Sequence, residues 1–274
     1  MTQPGFAERY GPWALVAGAS EGVGAAFARA VAERGCNVVL LARRQAVLDE
    51  VAAGIRSDHG VEARAVAVDL ASADAMARVV HATEGLEVGM LMYNAGADAR
   101  YEPFLDAPVE DAVAMVHRNC LVPLEMAHHF GPPMVSRGRG GIILVSSGAG
   151  MVGAPNMVVY GATKAFDIVM GEALWGELEG AGVDVLSLVL GATDTPAFRQ
   201  MLVKRGVLAG EDEDIPFDVT TTDEVVADAL EHLGEGPTWF VGESTRNGIP
   251  MLMAMPRNDA VRVMREAATI MNAD

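Results

Sequence analysis

Residues 13–24 have the sequence WALVAGASEGVG, and this stretch decides the fold. The apolar run at 13–17 predicts a short buried strand, and the Ala-rich segment at 22–34 predicts a helix. Gly18, Gly22 and Gly24 lie between or at the joints of these elements, where glycine lets the backbone approach a pyrophosphate at the helix N-terminus. The order of strand, Gly-rich turn and helix therefore predicts the start of a dinucleotide-binding βαβ unit. A Gly-rich turn that binds no ligand is the alternative.

Six further apolar runs predict strands, at 37–42, 63–68, 89–93, 141–145, 183–190 and 238–241. Because helical segments separate them, we expect an α/β domain, a doubly wound parallel seven-stranded sheet with helices on both faces (Rossmann type), in one unit over 1–274. In such sheets ligands bind beyond the carboxyl ends of the strands. Polar or glycine features follow the predicted strands at the Gly-rich turn, Arg43, Asp69, Asn94, Ser147 and Gly191. Their convergence on one edge indicates an enzyme.

The residues after the second strand bear on which dinucleotide is bound. Arg43 and Arg44 follow it directly, and no carboxylate occurs until Asp49. Guanidinium groups bind a 2′-phosphate by charge-assisted hydrogen bonds, whereas NAD sites place a carboxylate here. The pattern favours NADP over NAD, although Glu21 in the Gly-rich turn favours the opposite. The alternative is that both arginines are only solvated at the start of the next helix.

Two other strand ends offer contacts to a nucleotide. Asp69 is able to accept a hydrogen bond from an adenine amino group, or to cap a helix beginning after Ser72. Asn94, Ala95 and Gly96 are small enough for a cofactor ribose to approach, or form an ordinary turn.

A second group of residues points to proton transfer. The strand at 141–145 delivers Ser146 and Ser147, and a helix predicted over 158–178 carries Tyr160 and Lys164 four residues apart on one face. A phenol beside an ammonium is an acid/base device for an alcohol oxygen, because the positive charge favours the phenolate. Such a pair also arises by chance on any helix.

A long helix is predicted over 109–130, and Pro123 lies within it. Because proline has no N–H, the carbonyl of Asn119 loses its helical partner and is expected to hold an active-site water. A plain proline kink is the alternative.

The last third of the chain predicts a substrate loop. The turn 191–196 is rich in hydroxyl groups, and the segment 198–222 is expected to be irregular, giving a loop at about 195–220. Apolar residues are expected to line a hydrophobic pocket or to belong to the core, namely Met151, Val152, Met157, Met201 and Leu202. For the cluster 251–255, which contains Met251, Met253 and Met255, we expect a core role rather than a substrate pocket or subunit contact.

Composition excludes several function classes. The net charge of −17 argues against nucleic acid or an anionic membrane as a partner. Cys36 and Cys120 are far apart and lack metal spacing, so neither a disulfide framework nor a metal site is expected. Residues 1–10 are polar and no apolar run reaches the 18 residues that a membrane span needs, so we expect a soluble cytoplasmic protein.

Together these residues resemble the small single-domain branch of the short-chain dehydrogenase/reductase family over about 11–241. The motifs that carry the resemblance are the Gly-rich turn at 18–24, Asn94-Ala95-Gly96, Asn119, Ser147, Tyr160 with Lys164, and the Gly191 turn. Ser147 stands 13 residues before Tyr160 and 28 after Asn119, as in the family's catalytic tetrad, which selects Ser147 over Ser146. Segments 85–89 and 146–150 are similar to the 3-ketoacyl-CoA reductase and 17β-hydroxysteroid dehydrogenase group. The chain departs from the family pattern at Ala17, Tyr93 and Leu190.

The resemblance implies reversible hydride transfer between NADP(H) and a ketone or secondary alcohol of hydrophobic character, such as a ketosteroid or 3-ketoacyl thioester. It implies a catalytic tetrad of Asn119, Ser147, Tyr160 and Lys164. The implied cofactor residues are Gly18, Ser20, Glu21, Gly22, Val23, Gly24, Arg43, Arg44, Asp69, Leu70, Asn94, Ala95, Gly96, Tyr160, Lys164, Gly191, Thr193 and Thr195. Pairing through the helices at 109–130 and 158–178 implies a homodimer or homotetramer. A dehydratase or epimerase on this scaffold and a non-catalytic NADP(H)-binding sensor protein remain the alternatives.

Overall fold

The fold is known from a computed structural model that describes residues 5–97 and 101–270. Within these ranges one sheet contains seven strands in the order β3-β2-β1-β4-β5-β6-β7, and every neighbouring pair is parallel. The strands are β1 (Trp13–Ala17), β2 (Asn37–Ala42), β3 (Ala63–Ala67), β4 (Val88–Tyr93), β5 (Gly140–Ser147), β6 (Val183–Leu190) and β7 (Thr238–Phe240). The predicted doubly wound sheet is confirmed. Its strand order reverses between β1 and β4, which is where such folds form their ligand crevice.

Helices cover both faces of the sheet. They are α1 (Phe6–Tyr10), α2 (Gly22–Glu33), α3 (Gln45–His59), α4 (Ala75–Ala82), α5 (Val109–Val116), α6 (Val122–Arg137), α7 (Val158–Leu178), α8 (Pro196–Lys204), α9 (Thr222–His232), α10 (Glu243–Ala254) and α11 (Arg257–Ile270). Alternate residues of β1 point to opposite faces, as the strand period of two requires. Ala14 and Val16 pack with α2, α3 and α9, whereas Trp13, Leu15 and Ala17 pack with α4, α6 and α7. The strands are therefore buried on both faces, which explains their continuous apolar runs.

The structure differs from the predicted long helix at 109–130. A π-helical segment, His117–Leu121, separates α5 from α6, and the N–H of Val122 donates to the carbonyl of His117 five residues earlier. In this register Pro123 has no N–H for the carbonyl of Arg118, and the hydroxyl of Tyr93 donates to that carbonyl instead. The proline thus acts on the helix as predicted, but the carbonyl it affects here is that of Arg118. The predicted water at the carbonyl of Asn119 stays a prediction.

The segment expected to be irregular begins with a helix. Thr195 accepts a hydrogen bond from the N–H of Phe198 at 3.2 Å, and Pro196 occupies the first helical turn, so α8 has a capped start. Only the part after Lys204 lacks regular structure until α9. The predicted irregularity is therefore wrong for 198–204, where the preceding Thr195-Pro196 pair was the available signal.

The Met-rich cluster at 251–255 does not lie in the core. Met251, Met253 and Met255 are 67%, 48% and 39% exposed. The predicted core role is wrong, because α10 packs on the rest of the protein through Ile249 and turns its methionines outward.

Candidate active site

The Gly-rich turn meets the end of β4 at the carboxyl edge of the sheet. Gly18 has a positive φ of 85°, and a Cβ there would lie 2.9 Å from the backbone nitrogen of Ala95. A Cβ on Gly24 would lie 2.1 Å from the carbonyl oxygen of Gly18. The side-chain amide of Asn94 donates to that same carbonyl at 3.3 Å. Only glycine fits at these two positions, and the resulting cradle lies at the N-terminus of α2, as a bound pyrophosphate requires.

The turn after β6 lies beside this cradle. A Cβ on Gly22 would lie 3.1 Å from the side-chain methyl of Thr195, so the two loops are in contact. Thr193 bridges to Thr220 in backbone pairing, which fixes the turn to the segment before α9. The hydroxyl of Thr193 also donates to the carbonyl of Gly191 at 3.3 Å. The Gly191, Thr193 and Thr195 positions therefore lie at the same edge as the Gly-rich turn.

The end of β2 brings a guanidinium group to the Gly-rich turn. Arg44 donates to the carboxylate of Glu21 at 2.5 Å and to the hydroxyl of Ser20 at 3.4 Å. Arg43 is exposed to solvent. The guanidinium of Arg44 thus lies at the Gly-rich turn, where a 2′-phosphate is predicted, and the carboxylate of Glu21 competes for it.

The end of β3 lies next to this region. The carboxylate of Asp69 accepts a hydrogen bond from the N–H of Ala71 at 3.0 Å, closing a turn. Because α4 begins only at Ala75 and Asp74 is its cap residue, the alternative that Asp69 caps this helix is wrong. The side chain of Leu70 is buried, and that of Val23 on α2 is buried as well.

Ser147 and Lys164 come from β5 and α7. The hydroxyl of Ser147 accepts the N–H of Ala149 at 3.2 Å and remains partly exposed at the edge of the sheet. The ammonium of Lys164 donates to the carbonyl of Val145 at 2.8 Å. Ser146 faces the opposite way, and its buried hydroxyl donates to the backbone carbonyl of Lys164 at 2.7 Å. Of the two serines, Ser147 is therefore the one whose side chain is partly exposed, and its catalytic role stays a prediction.

Asn119 is fully buried and its side-chain amide is saturated by the protein. It donates to the carbonyl of Gly96 at 3.2 Å and to the hydroxyl of Thr163 at 2.9 Å, and it accepts from the guanidinium of Arg118 at 3.1 Å. The hydroxyl of Thr163 donates in turn to the carbonyl of Tyr160 at 2.9 Å. The amide therefore links the loop after β4 to α7 between the two predicted catalytic residues.

One charged residue at this site was missed by the sequence reasoning. Asp167 lies on α7 one turn after Lys164, and its carboxylate oxygen is 3.0 Å from the lysine nitrogen. Burial raises the pKa of Asp167, and the adjacent Lys164 opposes this shift. The i, i+3 spacing of Lys164 and Asp167 was a signal that could have found the pair. Thr163 was missed too, and the sequence held no comparable signal for its contact with Asn119.

A pocket opens beside Tyr160. Its lining is largely apolar, with a few polar groups, and consists of Glu102, Phe104, Ala107, Asp111, Ala112, Met115, Asn156, Val158, Val159 and Tyr160. None of the five apolar residues suggested by the sequence belongs to this lining. Val152 and Leu202 are buried, in line with the alternative that they belong to the core. Within the described ranges, no helix has both the length and the apolarity to cross a bilayer. The same residues contain no cluster of three acidic, His or Cys side chains suited to a metal ion.

The segment after α8 is held by an arginine. Arg199 pairs with both carboxylate oxygens of Asp194, at 2.6 and 2.7 Å, and donates to the carbonyls of Glu211 and Glu213. Its hydrogen bond lowers the pKa of Asp194. Arg199 thus connects the turn after β6 to the acidic part of the loop.

Comparison with known proteins agrees with this geometry. A family model described as short chain dehydrogenase matches residues 12–205. The 7beta-hydroxysteroid dehydrogenase of Collinsella aerofaciens is 36% identical over 242 residues, which is 88% of this chain and 90% of that protein. The human very-long-chain 3-oxoacyl-CoA reductase is 37% identical over 190 residues, covering 68% of this chain and 61% of that protein.

Solved structures resemble the fold closely. One, from a study of 7beta-hydroxysteroid dehydrogenase stereoselectivity, has a TM-score of 0.86 and 33% identity, covering 95% of this chain and 99% of its own. A short-chain dehydrogenase from Sphingobium yanoikuyae, in complex with NADPH, has a TM-score of 0.72 and 29% identity, covering 94% of this chain and 95% of its own.

Proposed function

The chain belongs to the short-chain dehydrogenase/reductase family and is an oxidoreductase, and we propose that it uses NADP(H) to interconvert a hydrophobic ketone and its secondary alcohol. The observation that carries the proposal is the arrangement of Asn119, Ser147, Tyr160 and Lys164. They come from three separate elements, and hydrogen bonds through Thr163 and Val145 join those elements at the ligand-binding edge.

We assign each of these side chains a role in proton transfer. Tyr160 lines the pocket and would give its phenolic proton to the substrate oxygen in reduction, or accept it in oxidation. Ser147 would donate its hydroxyl to that oxygen, where negative charge develops. Lys164 would favour the phenolate and contact the nicotinamide ribose. Asn119 would hold, by its backbone carbonyl, the water that connects Lys164 to solvent.

The cradle fits a dinucleotide. Gly18, Gly22 and Gly24 would let the backbone approach the pyrophosphate at the N-terminus of α2. A Cβ at any of the three would meet neighbouring protein atoms, so this close turn needs glycine. When bound, the nicotinamide supplies or accepts the hydride. Asn94, Ala95 and Gly96 would lie along the ribose, and the 191–195 turn would face the carboxamide. The adenine end would meet Asp69 and Leu70.

Arg43 and Arg44 support NADP over NAD. Both lie at the end of β2, where an NAD site places a carboxylate. Glu21 already binds Arg44, so we propose that a 2′-phosphate takes over this guanidinium when NADP(H) binds. The NADPH complex of the Sphingobium relative is consistent with this choice.

For the substrate we favour a hydroxysteroid or ketosteroid. The names of the bacterial relatives support this class, as does the largely apolar pocket at Tyr160. A 3-ketoacyl thioester is the second candidate, supported by the likeness to the human 3-oxoacyl-CoA reductase. We propose that α8 and the segment to residue 220 form the substrate loop of a single catalytic domain.

The first experiment measures NADPH and NADH consumption by purified protein with graded ketones, from small aliphatic ketones to ketosteroids and ketoacyl thioesters. We expect turnover of a bulky hydrophobic ketone with NADPH. Tyr160→Phe should abolish this turnover and keep NADPH binding. Tight NADPH binding without turnover of any substrate would instead favour a sensor protein, and loss of water from an alcohol without net NADPH use would favour a dehydratase.

Exposed apolar side chains support a homodimer or homotetramer. Val109 and Val113 on α5 are 61% and 63% exposed, and Val169 on α7 is 64% exposed. Pairing of two copies through α5 and α7 would bury these valines, and contiguous exposed apolar patches mark such interfaces. Light scattering at micromolar concentration should give a multiple of the 28.8 kDa chain mass, and a monomer alone would refute the assembly. Two buried free thiols and NADPH use fit a reducing cytoplasm, which fractionation would test.

A further inference from the structure

Asp167 and Lys164 form a buried ion pair under the proposed active site. Asp167 is 1% exposed and Lys164 is 4% exposed, and their charged atoms are 3.0 Å apart. The other carboxylate oxygen of Asp167 has no hydrogen-bond partner among the described residues. A carboxylate in this position costs free energy that a neutral residue of the same shape avoids. Such a group calls for a functional explanation.

Lys164 depends on this partner for its position. The lysine nitrogen has three N–H donors, of which one goes to Asp167 and one to the carbonyl of Val145. These two contacts pin the ammonium between β5 and α7 and leave one donor for a ligand or for Tyr160. Because Tyr160, Lys164 and Asp167 stand at positions i, i+4 and i+7 of α7, the three side chains share one face of the helix.

Other groups face the pair from neighbouring elements. Besides burial, the negative charge of Asp167 raises the pKa of Tyr93 on β4 and that of Cys120 on the π segment, whereas Arg118 lowers the pKa of Tyr93. Burial raises the pKa of Tyr93 and raises that of Cys120 to about 11, so both are neutral at working pH. On β6 the hydroxyl of Ser187 reaches only backbone carbonyls of α7. Glu102 and Asp111 line the pocket together with Tyr160, so the charges around the phenol include these two carboxylates besides the Lys164–Asp167 pair.

We propose that Asp167 is a positioning residue whose carboxylate holds the Lys164 ammonium in place and moderates the positive charge that acts on Tyr160. The inference rests on the proposed oxidoreductase function. An ammonium paired with a carboxylate acts on a third group as a dipole, which is weaker than an isolated charge. Removing the carboxylate charge while keeping the side-chain shape should leave the ammonium as an isolated charge. The phenolate should then form at lower pH.

The test is a pH titration of the Tyr160 phenol that does not require turnover. Near-ultraviolet phenolate absorbance is measured with NADP+ bound, and the titration of the matching Tyr160→Phe protein is subtracted in each background. For Asp167→Asn we expect the midpoint to move about one pH unit lower, the size that a nearby charge produces. Asp167→Glu keeps the charge and should keep the midpoint within a few tenths of a unit. If Asp167→Asn does not fold, Asp167→Ser leaves room for a water molecule and gives the same readout.

The result separates this inference from the proposed function. A midpoint that is unchanged or higher in a folded, NADPH-binding Asp167→Asn protein would overturn the proposed effect of the Asp167 carboxylate on the charge that acts on Tyr160. In the alcohol-oxidising direction, the pH of half-maximal kcat/KM should shift with the same sign. If the wild-type protein turns over no substrate, the proposed function fails, whereas the phenol titration still decides the role of Asp167.

Discussion

The side-chain amide of Asn119 donates to the hydroxyl of Thr163 at 2.9 Å, across an interface between the π segment and α7. Thr163 immediately precedes Lys164, and its hydroxyl donates a hydrogen bond to the carbonyl of Tyr160. Two of the proposed catalytic residues are therefore fixed relative to Asn119 through a residue that has no chemical role of its own.

Replacing Thr163 with valine tests this link. The substitution keeps the shape but removes the hydroxyl, so the Asn119 amide loses a buried partner at a cost of about 1–3 kcal/mol of folding free energy. We expect kcat/KM to fall about tenfold, because misplacing catalytic groups is costly. Thr83→Val is the matched control, since Thr83 is equally buried and donates only to helix carbonyls of α4. Equal kinetic losses in both variants would contradict the link.

Ser146 and Ser147 should separate into a structural and a catalytic role. Ser147→Ala removes the proposed donor to the substrate oxygen, and we expect kcat to fall about a hundredfold. The partly exposed bond from the N–H of Ala149 is lost as well, at about 0.5–1 kcal/mol of unfolding free energy. Ser146→Ala breaks a buried bond to the carbonyl of Lys164 and should cost about 1–2 kcal/mol of unfolding free energy, with kcat within a few-fold of wild type. Steady-state kinetics and denaturant unfolding measure the two effects. The reverse pattern would show that the spacing selects the wrong serine.

Glu21 should weaken NADPH binding by occupying Arg44. Because their atoms are 2.5 Å apart, a 2′-phosphate must displace or repel this carboxylate. We expect Glu21→Gln to lower the Kd for NADPH about fivefold, and Arg44→Gln to raise it about tenfold or more, the size of a charge-assisted hydrogen bond. Titration calorimetry with NADH is the control, and its Kd should hardly change. A parallel change for both cofactors would argue that neither residue contacts the 2′-phosphate.

Arg199 should determine how firmly the substrate loop is held. Arg199→Gln removes its contacts with Asp194, Glu211 and Glu213, and we expect faster amide hydrogen exchange over 205–220 and a higher KM for the ketone. Arg262→Gln breaks only an exposed pair with Asp259 on α11 and serves as the control. Unaltered exchange in Arg199→Gln would exclude the proposal that Arg199 holds the loop in place.

The ion pair between Arg199 and Asp194 should respond to acid. The pairing with Arg199 lowers the pKa of Asp194, so its contribution is present above the unfolded value of about 3.9 and is lost as pH falls through the lower folded value. Exchange of the loop amides, corrected for the intrinsic pH dependence, should therefore stay constant from neutral pH to about pH 4 and rise only below it. A loop that loosens near pH 6 would identify a different titrating group.

Both cysteines should resist thiol reagents in the native protein. Burial raises the pKa of Cys36 and that of Cys120 to about 11, so at pH 8 only about one thiol in a thousand is ionised. We expect labelling by iodoacetamide to be at least about a hundredfold slower than in denaturant. Mass spectrometry of each peptide reports the two sites separately. Rapid native labelling of Cys120 would show that the π segment opens readily.

Much of the fold follows from local patterns in the sequence. Continuous apolar runs such as 183–190 predicted the strands because parallel strands are buried on both faces. The helix Val158–Leu178 was predicted with its observed bounds. Residue type was less reliable for burial. The methionines at 251–255 indicated a core, yet Met251 is 67% exposed. Hydrophobicity alone does not say whether another element packs over a residue.

The sequence by itself determined the family, the order of the strands along the chain and the spacing of the proposed tetrad, since these depend on residue type and on short-range periodicity. Only the tertiary structure decided which atoms meet. Tyr93 departs from the family pattern, and its hydroxyl donates to the carbonyl of Arg118. That carbonyl has no helical partner because Pro123, five residues later in the π register, has no N–H. Thr163 became part of the site by contact with Asn119, 44 residues away. Hydrogen bonds and ion pairs act over about 3 Å, and chain folding alone sets which distant residues come that close.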